Sequence, residues 1–347
     1  MLIAHGEGEL YRRASEGPDL VPLAPRSEVD LSTAWKLSRI LRQWHPQILH
    51  AHDPHAVAMA ALALSFGAPD PCPRLVVSRR VDFHLQPHSF SRWKYRQAHL
   101  FIAASDAIRA ILEDDGIPSQ QIVVVHDGID VAKVSRLPTV DMHTEFWLPH
   151  GAPVLVNVGA LVGHKGQKHL IDAMPLVLRD VPDAHLVIFG EGELRPALEK
   201  QIKDLHLDKH VLLAGFREDV LQLVKSADVF VMSSVTEGLG STVLDAMAMQ
   251  LPVVGTRAGG IPEAVVDGET GLLVALAQPP DMAAAIVRLL KDPALRERMG
   301  RAGQARVSAQ FGVARMLEGT LNAYRRAAAM KPSAAALNSS AQPSGRA

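Results

Sequence analysis

Short apolar runs alternate with amphipathic segments along most of this chain of 347 residues. Such alternation is typical of repeated strand–helix units around parallel sheets, so it predicts an α/β fold. The apolar runs predict strands at 48–52, 75–78, 100–105, 122–125, 154–159, 185–190, 211–214, 229–233, 253–256 and 272–274. The amphipathic segments predict helices at 32–44, 55–66, 106–115 and 313–330.

The chain is longer than one hydrophobic core usually serves, so two domains are expected. The strand–helix rhythm breaks between residues 131 and 152, where Pro138, Pro149 and Gly151 interrupt a segment without a clear period. We therefore predict a first domain at 1–135, a linker at 136–152, a second domain at 153–312, a helix at 313–330 and a disordered tail, rich in Ser, Ala and Pro, at 331–347.

The composition is that of an ordinary globular enzyme, with 48% hydrophobic and 21% charged residues. A net charge of −1 gives no overall attraction to nucleic acid, which we exclude as a partner. Cys72 is the only cysteine, so an internal disulfide is impossible. Because no secretory signal or long apolar run is present, we predict a cytoplasmic protein.

The most informative segment runs from residue 229 to residue 263. An apolar strand leads into a glycine-containing loop, after which Ser241 or Thr242 is predicted to cap a helix. A helix N-terminus reached through glycines favours a phosphate, because its amides and its dipole point at the loop. Glu237 and Asp245 flank this turn, and carboxylates accept hydrogen bonds from sugar hydroxyls. The segment therefore predicts a nucleotide-sugar site; the alternative is two surface acids near a helix start.

The same segment resembles the donor-binding region of retaining glycosyltransferases of family 4, which have the GT-B fold. The resemblance rests on Glu-Gly-Leu-Gly from Glu237, an acid eight positions later, and Gly-Gly-Ile-Pro-Glu ending at Glu263. It implies two Rossmann-like, doubly wound parallel-sheet domains facing a cleft, with the last helix crossing back to the first domain. It also implies that Glu237 contacts the donor sugar and that Asp245, where the family usually has glutamate, contacts the ribose. The donor-binding residues implied are Gly163, Lys165, Gly190, Gly215, Phe216, Glu237, Gly238, Leu239, Gly240, Ser241 and Asp245.

Lys165 is the cation expected to hold the donor diphosphate. It ends a glycine-containing loop after the predicted strand 154–159, and the family usually has a partner arginine where Ala160 stands. Arg217 or Arg257 could replace that arginine. The loop lacks the spacing and the Gly-Lys-Ser/Thr ending of a nucleotide-hydrolysing P-loop. The resemblance further implies front-face transfer without an enzyme nucleophile, a cofactor or a catalytic metal.

The acceptor is expected to meet the first domain. His50 and His52 share one face of a strand end, a spacing that could bind metal, but no third ligand is identifiable. We instead predict His52, Asp53, Arg79 and Arg80 as acceptor-side residues. Relatives carry a histidine near the position of Arg80 and Asp82, so these two join Glu237 and Lys165 as catalytic candidates. The implied acceptor is a carbohydrate or a lipid-linked sugar.

The segment from Arg74 to Arg96 is rich in cations and aromatic residues and contains Asp82 as its only acid. Such a surface could meet lipid phosphates at the inner face of a membrane. The alternative is a solvated helix face, which is the more common origin of a charged run.

The start of the chain departs from the family pattern. Residues 1–17 resemble the second strand and helix of family members, so a first strand–loop–helix unit of roughly 30 residues is expected to be missing and Met1 to be an internal methionine. Since the first strand of a doubly wound sheet is central, its loss would leave a gap. The predicted function is sugar transfer in cell-surface polysaccharide, lipopolysaccharide or glycolipid synthesis. Two alternatives stay open: a nucleotide-sugar epimerase, and a nucleotide-sugar-binding module without catalysis.

Overall fold

The computed structural model describes residues 1–14, 17 and 19–330; the predicted tail lies outside these residues. The first half of the chain is built from parallel strands and the helices that follow them. In order these are β1 (Leu2–Ala4), α1 (Glu9–Arg13), β2 (Leu20–Pro22), α2 (Leu31–Trp44), β3 (Ile48–Ala51), α3 (Pro54–Ser65), β4 (Arg74–Arg79), α4 (Ser89–Arg96), β5 (Leu100–Ala103), α5 (Asp106–Asp114) and β6 (Ile122–Val124).

The second half repeats this plan with more helices. Its elements are α6 (Val131–Arg136), α7 (Met142–Glu145), β7 (Val154–Val158), α8 (Gln167–Asp180), β8 (His185–Phe189), α9 (Arg195–Asp204), β9 (Val211–Gly215), α10 (Val220–Val224), β10 (Val229–Met232), α11 (Ser241–Ala248), β11 (Val253–Thr256), α12 (Ile261–Ala264), β12 (Gly271–Val274), α13 (Pro279–Lys291), α14 (Pro293–Gln310) and α15 (Val313–Ala329). Parallel strands in the order β12-β11-β10-β7-β8-β9 form a doubly wound sheet. Separate apolar clusters cover its two faces, which explains why β10 is buried throughout.

The first domain carries its parallel strands in two groups. β3, β4, β5 and β6 form one sheet in sequence order, while β1 pairs with β2. Among the described strands, β1 and β3 do not pair with each other, and a cavity of about 370 Å³ lies between them. Except for α1, the helices of this domain begin at side-chain caps. For example, Asp53 accepts from the amides of His55 and Ala56 at α3, and Ser105 accepts from that of Ile108 at α5.

The passage between the domains differs from the predicted linker at 136–152. Val134 of α6 and Met142 of α7 are buried in the core of the second domain, and the Val140 amide donates to the Gln222 carbonyl. The apolar side chains of this segment pack against the second domain, although they do not recur with the period of a helix or a strand. The chain therefore crosses near residues 126–130, ahead of α6.

The chain crosses a second time at residues 311–313 and continues as α15, which packs against β3, β4 and β5 of the first domain. The two crossings lie side by side: the Ile129 amide donates to the Phe311 carbonyl at 2.8 Å, and Ile129 forms a parallel bridge with Gly312. A Cβ atom on Gly128 would lie 2.8 Å from the Cα atom of Val313, so this close approach requires glycine.

Candidate active site

Two loops of the second domain form the core of the candidate site. One follows β7 and contains Lys165, and the other follows β10 and contains Glu237. Because β7 and β10 are neighbours in a parallel sheet, their carboxyl ends bring the two loops together. The Val235 amide donates to the His164 carbonyl at 2.8 Å, and Ser233 Oγ donates to the Lys165 carbonyl at 3.0 Å. These bonds fix one loop against the other.

Lys165 and Glu237, both predicted catalytic residues, contact each other directly. The Lys165 Nζ atom lies 2.6 Å from Glu237 Oε2, which also accepts a hydrogen bond from Ser234 Oγ at 3.1 Å. The two side chains are only 21% and 13% exposed. A cation and a carboxylate thus lie together, largely shielded from water, where their charges act more strongly than on an open surface.

Helix α11 begins beside this pair, but it is not capped as predicted. Its N-cap residue is Gly240, which has the left-handed φ of +85°, rather than Ser241 or Thr242. Glycine makes that conformation inexpensive, and Ser241 becomes the exposed first residue of the helix. No side-chain oxygen caps the start of α11, and the Val243 amide donates to the Gly240 carbonyl. The amides of Ser241 and Thr242, which precede it, are therefore available to an anion.

Asp245, the predicted ribose ligand, lies on α11 and is partly buried. Burial raises the pKa of its carboxyl to about 6, since the charged form loses hydration there. The Asp245 carboxyl is therefore a group that needs polar partners when ionised, as a diol would provide.

The Gly-Gly-Ile-Pro-Glu segment supports the loop that contains Glu237. The Gly260 amide donates to the Glu237 carbonyl at 3.1 Å, and a Cβ atom on Gly259 would lie only 1.8 Å from that carbonyl oxygen. Across the cleft, a Cβ atom on Gly238 would lie 2.4 Å from the Arg80 carbonyl oxygen. Glycines therefore let the loop approach both its own domain and the first domain, while Leu239 is buried in the second core.

The other predicted donor residues line the same edge of the sheet. Gly163 precedes Lys165 in a single turn of 3₁₀ helix. Gly190 follows β8 and Gly215 ends β9, and the Gly190 amide donates to the Gly215 carbonyl at 2.9 Å. Phe216, which follows, is 73% exposed and leaves an aromatic face open beside the sheet. Gly190, Gly215 and Phe216 lie on the far side of β7 from Glu237.

Neither arginine considered as a substitute for Ala160 is free. Arg217 pairs with Glu145 and Asp219, whose hydrogen bonds raise the pKa of its guanidinium. Arg257 pairs with Asp267 at 2.5 Å. Lys165 therefore stands as the motif cation at the site.

The first domain contributes a small cavity of about 180 Å³, lined by both polar and apolar residues, at the carboxyl ends of β3 and β4. His50 bridges it: Nδ1 lies 2.7 Å from Tyr324 Oη and Nε2 lies 2.8 Å from Ser78 Oγ. Burial, aided by nearby His52 and Arg80, lowers the pKa of His50 to about 3, so the ring is neutral. His52 packs on His50 with ring centroids 4.0 Å apart, and Arg80 lies 3.3 Å from Asp127.

The predicted acceptor-side residues do not all face this cavity. His52 and Arg80 line it, whereas Asp53 caps α3 and Arg79 is buried and donates to the Phe83 carbonyl. Asp82 lies half-buried in the loop after β4. Tyr324, contributed by α15, was not predicted; its contact spans 274 residues of sequence and has no local signal.

Glu263 was recognised as part of a motif, but its contacts were not predicted. Its carboxylate accepts from the amides of Asp106 and Ala107 at the start of α5, and from His126 Nε2, at 2.9–3.0 Å. Burial opposes ionisation, yet these bonds lower the pKa of Glu263. The Asp106, His126 and Glu263 ligand atoms all lie within 4.8 Å of one another, but the hydrogen bonds already account for the Glu263 oxygens. The group therefore functions as a contact between domains.

The cations between Arg74 and Arg96 do not form one surface. Arg74 donates to the Met330 carbonyl, and Arg79 is buried. Lys94 is also buried, where it pairs with Glu28 at 2.8 Å. Arg80, Arg92 and Arg96 stay exposed. Within residues 1–14, 17 and 19–330, no helix combines the length and apolarity needed to cross a membrane.

Two parallel-sheet domains that face each other, with the loops after β7 and β10 at their cleft, define a transferase of the GT-B type. Comparisons with known proteins agree with this class. The family described as "Glycosyl transferases group 1" matches residues 142–306, and that described as "Glycosyltransferase Family 4" matches residues 2–133. Since the second match begins at residue 2, a missing first unit is not evident from it. The lipopolysaccharide core biosynthesis glycosyltransferase LpsE of Rhizobium meliloti is 35% identical over 86% of this chain and 80% of its own length.

A more distant relative and two solved structures also match. N-acetyl-alpha-D-glucosaminyl L-malate synthase of Bacillus anthracis is 25% identical over 81% of this chain and 75% of its own length. The structure of Anabaena Alr3699/HepE in complex with UDP covers 92% of this chain and 90% of its own, with a TM-score of 0.76 and 21% identity. A glycosyltransferase from Rickettsia africae covers 95% and 90%, with a TM-score of 0.79 and 19% identity. The chain belongs to the group 1 glycosyltransferases and has the GT-B fold.

Proposed function

We propose that this glycosyltransferase moves a sugar from a nucleoside diphosphate sugar to an acceptor hydroxyl, with retention of configuration and without a catalytic metal. The observation that carries the proposal is the shielded contact of Lys165 with Glu237 beside the open start of α11. This arrangement supplies two groups for a diphosphate, the ammonium and the helix amides, and one carboxylate for sugar hydroxyls.

In the donor complex Lys165 exchanges its contact with Glu237 for the diphosphate. Glu237 is then free to accept hydrogen bonds from the donor sugar, while Asp245 accepts them from the ribose. Ala160 stands where the family has a cation, and acidic residues pair with Arg217 and Arg257. Lys165 and the start of α11 therefore supply most of the positive charge that faces the leaving diphosphate. Preorganised groups of this kind stabilise developing charge without reorganising, which lowers the barrier.

Transfer proceeds on one face of the sugar. The bond from the anomeric carbon to the phosphate oxygen breaks as the bond to the acceptor oxygen forms on the same side. The acceptor proton passes to the leaving phosphate oxygen, so no enzyme base or nucleophile is required. Lys165 and the amides of α11 hold the charge that the diphosphate gains.

The acceptor binds at the first domain, near His52, Arg80 and Asp82. The likeness to LpsE supports a carbohydrate or lipid-linked acceptor of the cell envelope, made on the cytoplasmic side. The HepE structures contain UDP, UDP with glucose, or UDP-glucose, which makes UDP-sugars the first donors to test. The exposed Arg80, Arg92 and Arg96 are the residues of the cation-rich segment that would contact a membrane.

A donor screen followed by product analysis tests the proposal. UDP-, GDP- and ADP-sugars are compared by thermal shift, since a ligand at 100 times its Kd stabilises the fold by about 2.7 kcal/mol. The accepted donor is then incubated with a panel of glycoside acceptors in EDTA, and the new anomeric linkage is assigned by NMR. Retention in EDTA supports the proposal. Inversion, or a strict metal requirement, contradicts it; isomerisation without acceptor would indicate an epimerase, and binding without turnover a binding module.

A further inference from the structure

A cavity of about 440 Å³ lies at the amino ends of β8 and β9, where His185 and Val211 begin the two strands. Lys165 and Glu237 follow the carboxyl ends of β7 and β10, at the opposite edge of the same sheet. β8 has five residues, so about 17 Å of strand separates the two sites. We call this cavity the basal cavity; it has no part in the site described above.

Trp147 lines the basal cavity and is 91% exposed. Its backbone has a left-handed φ of +50°, which is unfavourable for a bulky side chain. Trp147 is the second residue after α7, where the Leu148 amide donates to the His143 carbonyl at 2.9 Å. Helices that end with this bond usually have glycine at the position of Trp147. The chain thus presents a tryptophan to solvent at a place that favours glycine.

The neighbours of Trp147 fix it in this position. Phe146 packs against Phe189, with ring centroids 5.9 Å apart, and Leu148 packs against the same apolar cluster of the second domain. The indole is therefore presented on a rigid turn. Backbone strain that the surroundings maintain is concentrated at functional sites, so the strain at Trp147 indicates a role in binding rather than in folding.

Two histidines of the basal cavity have tautomers fixed by the backbone. His185 Nδ1 lies 2.8 Å from the Asp183 carbonyl oxygen, and His210 Nδ1 lies 3.1 Å from that of Ala184. A carbonyl oxygen only accepts hydrogen bonds, so each Nδ1 carries the hydrogen and, in a neutral ring, Nε2 keeps a lone pair. Burial lowers the pKa of His185, which keeps that ring neutral at pH 7. Both histidines line the cavity and offer it acceptors.

The other polar side chains add to this excess of acceptors. The carboxylates of Asp183 and Asp208 also line the cavity, and they accept no hydrogen bond and form no ion pair with another described residue. Lys209 and the indole N–H of Trp147 are the remaining side-chain donors of the lining. A matching ligand therefore provides several hydrogen-bond donors.

Three classes of ligand do not fit this lining. An apolar ligand would bury the acceptors without partners, and an anion would face two carboxylates. A metal ion needs several converging ligands. Among the described residues, the group of three such ligands that converges within 4.8 Å is Asp106, His126 and Glu263, outside this cavity.

A neutral sugar fits every feature of the cavity. Each hydroxyl both donates and accepts, and the C–H groups of a pyranose form an apolar face that covers an aromatic ring. The volume of about 440 Å³ is in the usual range of small-molecule sites. We propose that the basal cavity is a second carbohydrate-binding site, which holds one ring of a neutral oligosaccharide against Trp147 while its hydroxyls donate to His185 and His210. The site binds glycan and takes no part in transfer.

Fluorine NMR tests this assignment on the full chain. The four tryptophans are replaced biosynthetically with 5-fluorotryptophan, and the resonance of Trp147 is identified by its absence in Trp147→Phe. Maltotriose, cellotriose and mannotriose are each titrated to about 20 mM, well above a millimolar Kd. We expect at least one of them to shift the Trp147 resonance with saturation, while that of the exposed Trp44 on α2 stays in place.

Protein variants separate binding from folding, with affinities measured by calorimetry. Trp147→Gly removes the indole and suits the left-handed φ, so it should lower affinity at least tenfold while the melting temperature stays equal or rises. His210→Ala removes one acceptor and should lower affinity about two- to tenfold. The control Trp44→Ala, on an exposed residue of the other domain, should leave affinity unchanged.

Four results would overturn the proposal. They are a Trp147 resonance that none of the three trisaccharides shifts, equal shifts at Trp147 and Trp44, equal affinity in wild type and Trp147→Gly, and a large drop in the melting temperature of Trp147→Gly, which would make the tryptophan structural.

Discussion

Replacing Lys165 with methionine tests the central contact of the site. Methionine keeps most of the apolar stem but removes the charge that lies 2.6 Å from Glu237 Oε2. Ser234 Oγ still donates to that carboxylate, so the loop after β10 keeps one of its bonds. The variant should therefore fold, and its defect should concern the diphosphate.

The size of the effect follows from the burial of the pair. A hydrogen bond to a charged group contributes about 1.5–3 kcal/mol, and the shielding of Lys165 favours the upper part of that range. If the ammonium contacts the leaving diphosphate mainly in the transition state, kcat/KM falls about 50- to 150-fold, most of it in kcat.

The assay measures transfer kinetics with the accepted donor, with Lys168→Met as a control. Lys168 is exposed in the first turn of α8, three residues after Lys165, and carries the same charge. The double variant Lys165→Met, Glu237→Gln separates two roles for the ammonium. Kinetics in Lys165→Met equal to those of the Lys168 control would refute the assignment, and recovery of activity in the double variant would show that Lys165 merely neutralises Glu237.

Three further predictions concern the acids of the site. Glu237→Ala should lower kcat by tenfold or more with little change in nucleotide affinity, while Asp245→Ala should weaken nucleotide binding; equal Kd values in calorimetry for wild type and Asp245→Ala would exclude the ribose contact. Burial raises the pKa of Asp245 to about 6, so its ionisation costs stability as pH rises from about 4 through 6. Asp245→Asn should then gain stability relative to wild type in urea unfolding at pH 7.5 but not at pH 4, and a constant difference would contradict this. Finally, the bonded carboxylate of Glu263 has a lowered pKa, so it stabilises the domain contact above its ordinary pKa and loses that effect in acid. Glu263→Gln should speed amide exchange at Asp106 and Ala107 at pH 7. The control Glu113→Gln, which like these two amides lies on α5, should not. Slow exchange in both variants would argue against the contact.

The site loops were predictable because their signals are local. The apolar run of β10 and the glycines around Glu237 identify a buried strand followed by a turn at the sheet edge. The N-cap was misassigned because residue preference favours serine, whereas the left-handed φ of Gly240 sets the first residue of α11. Gly240 shows that the backbone can outweigh side-chain preference at a helix start.

The contacts between domains could not be predicted, because they join residues far apart in the sequence. Tyr324 reaches His50, and Glu263 reaches His126, only after both domains have folded. The distribution of charge in the segment from Arg74 to Arg96 was unpredictable for a different reason. Arg79 is the last residue of β4, which is buried from Leu75 onwards, whereas Arg80 lies in the loop that follows and is exposed. A charge count along the segment ignores where the buried strand ends.

The neighbouring crossings at Ile129 and Gly312 determine how the cleft can open. Two strands of backbone held together by a hydrogen bond act as a single axis, so the domains turn about that line rather than slide apart. Displacement in such a rotation grows with distance from the axis. His126, three residues from Ile129, therefore stays close to Glu263 through small rotations. Contacts farther from the axis separate first, so the distance between the donor and acceptor faces increases most at the edge of the cleft that lies farthest from Ile129 and Gly312.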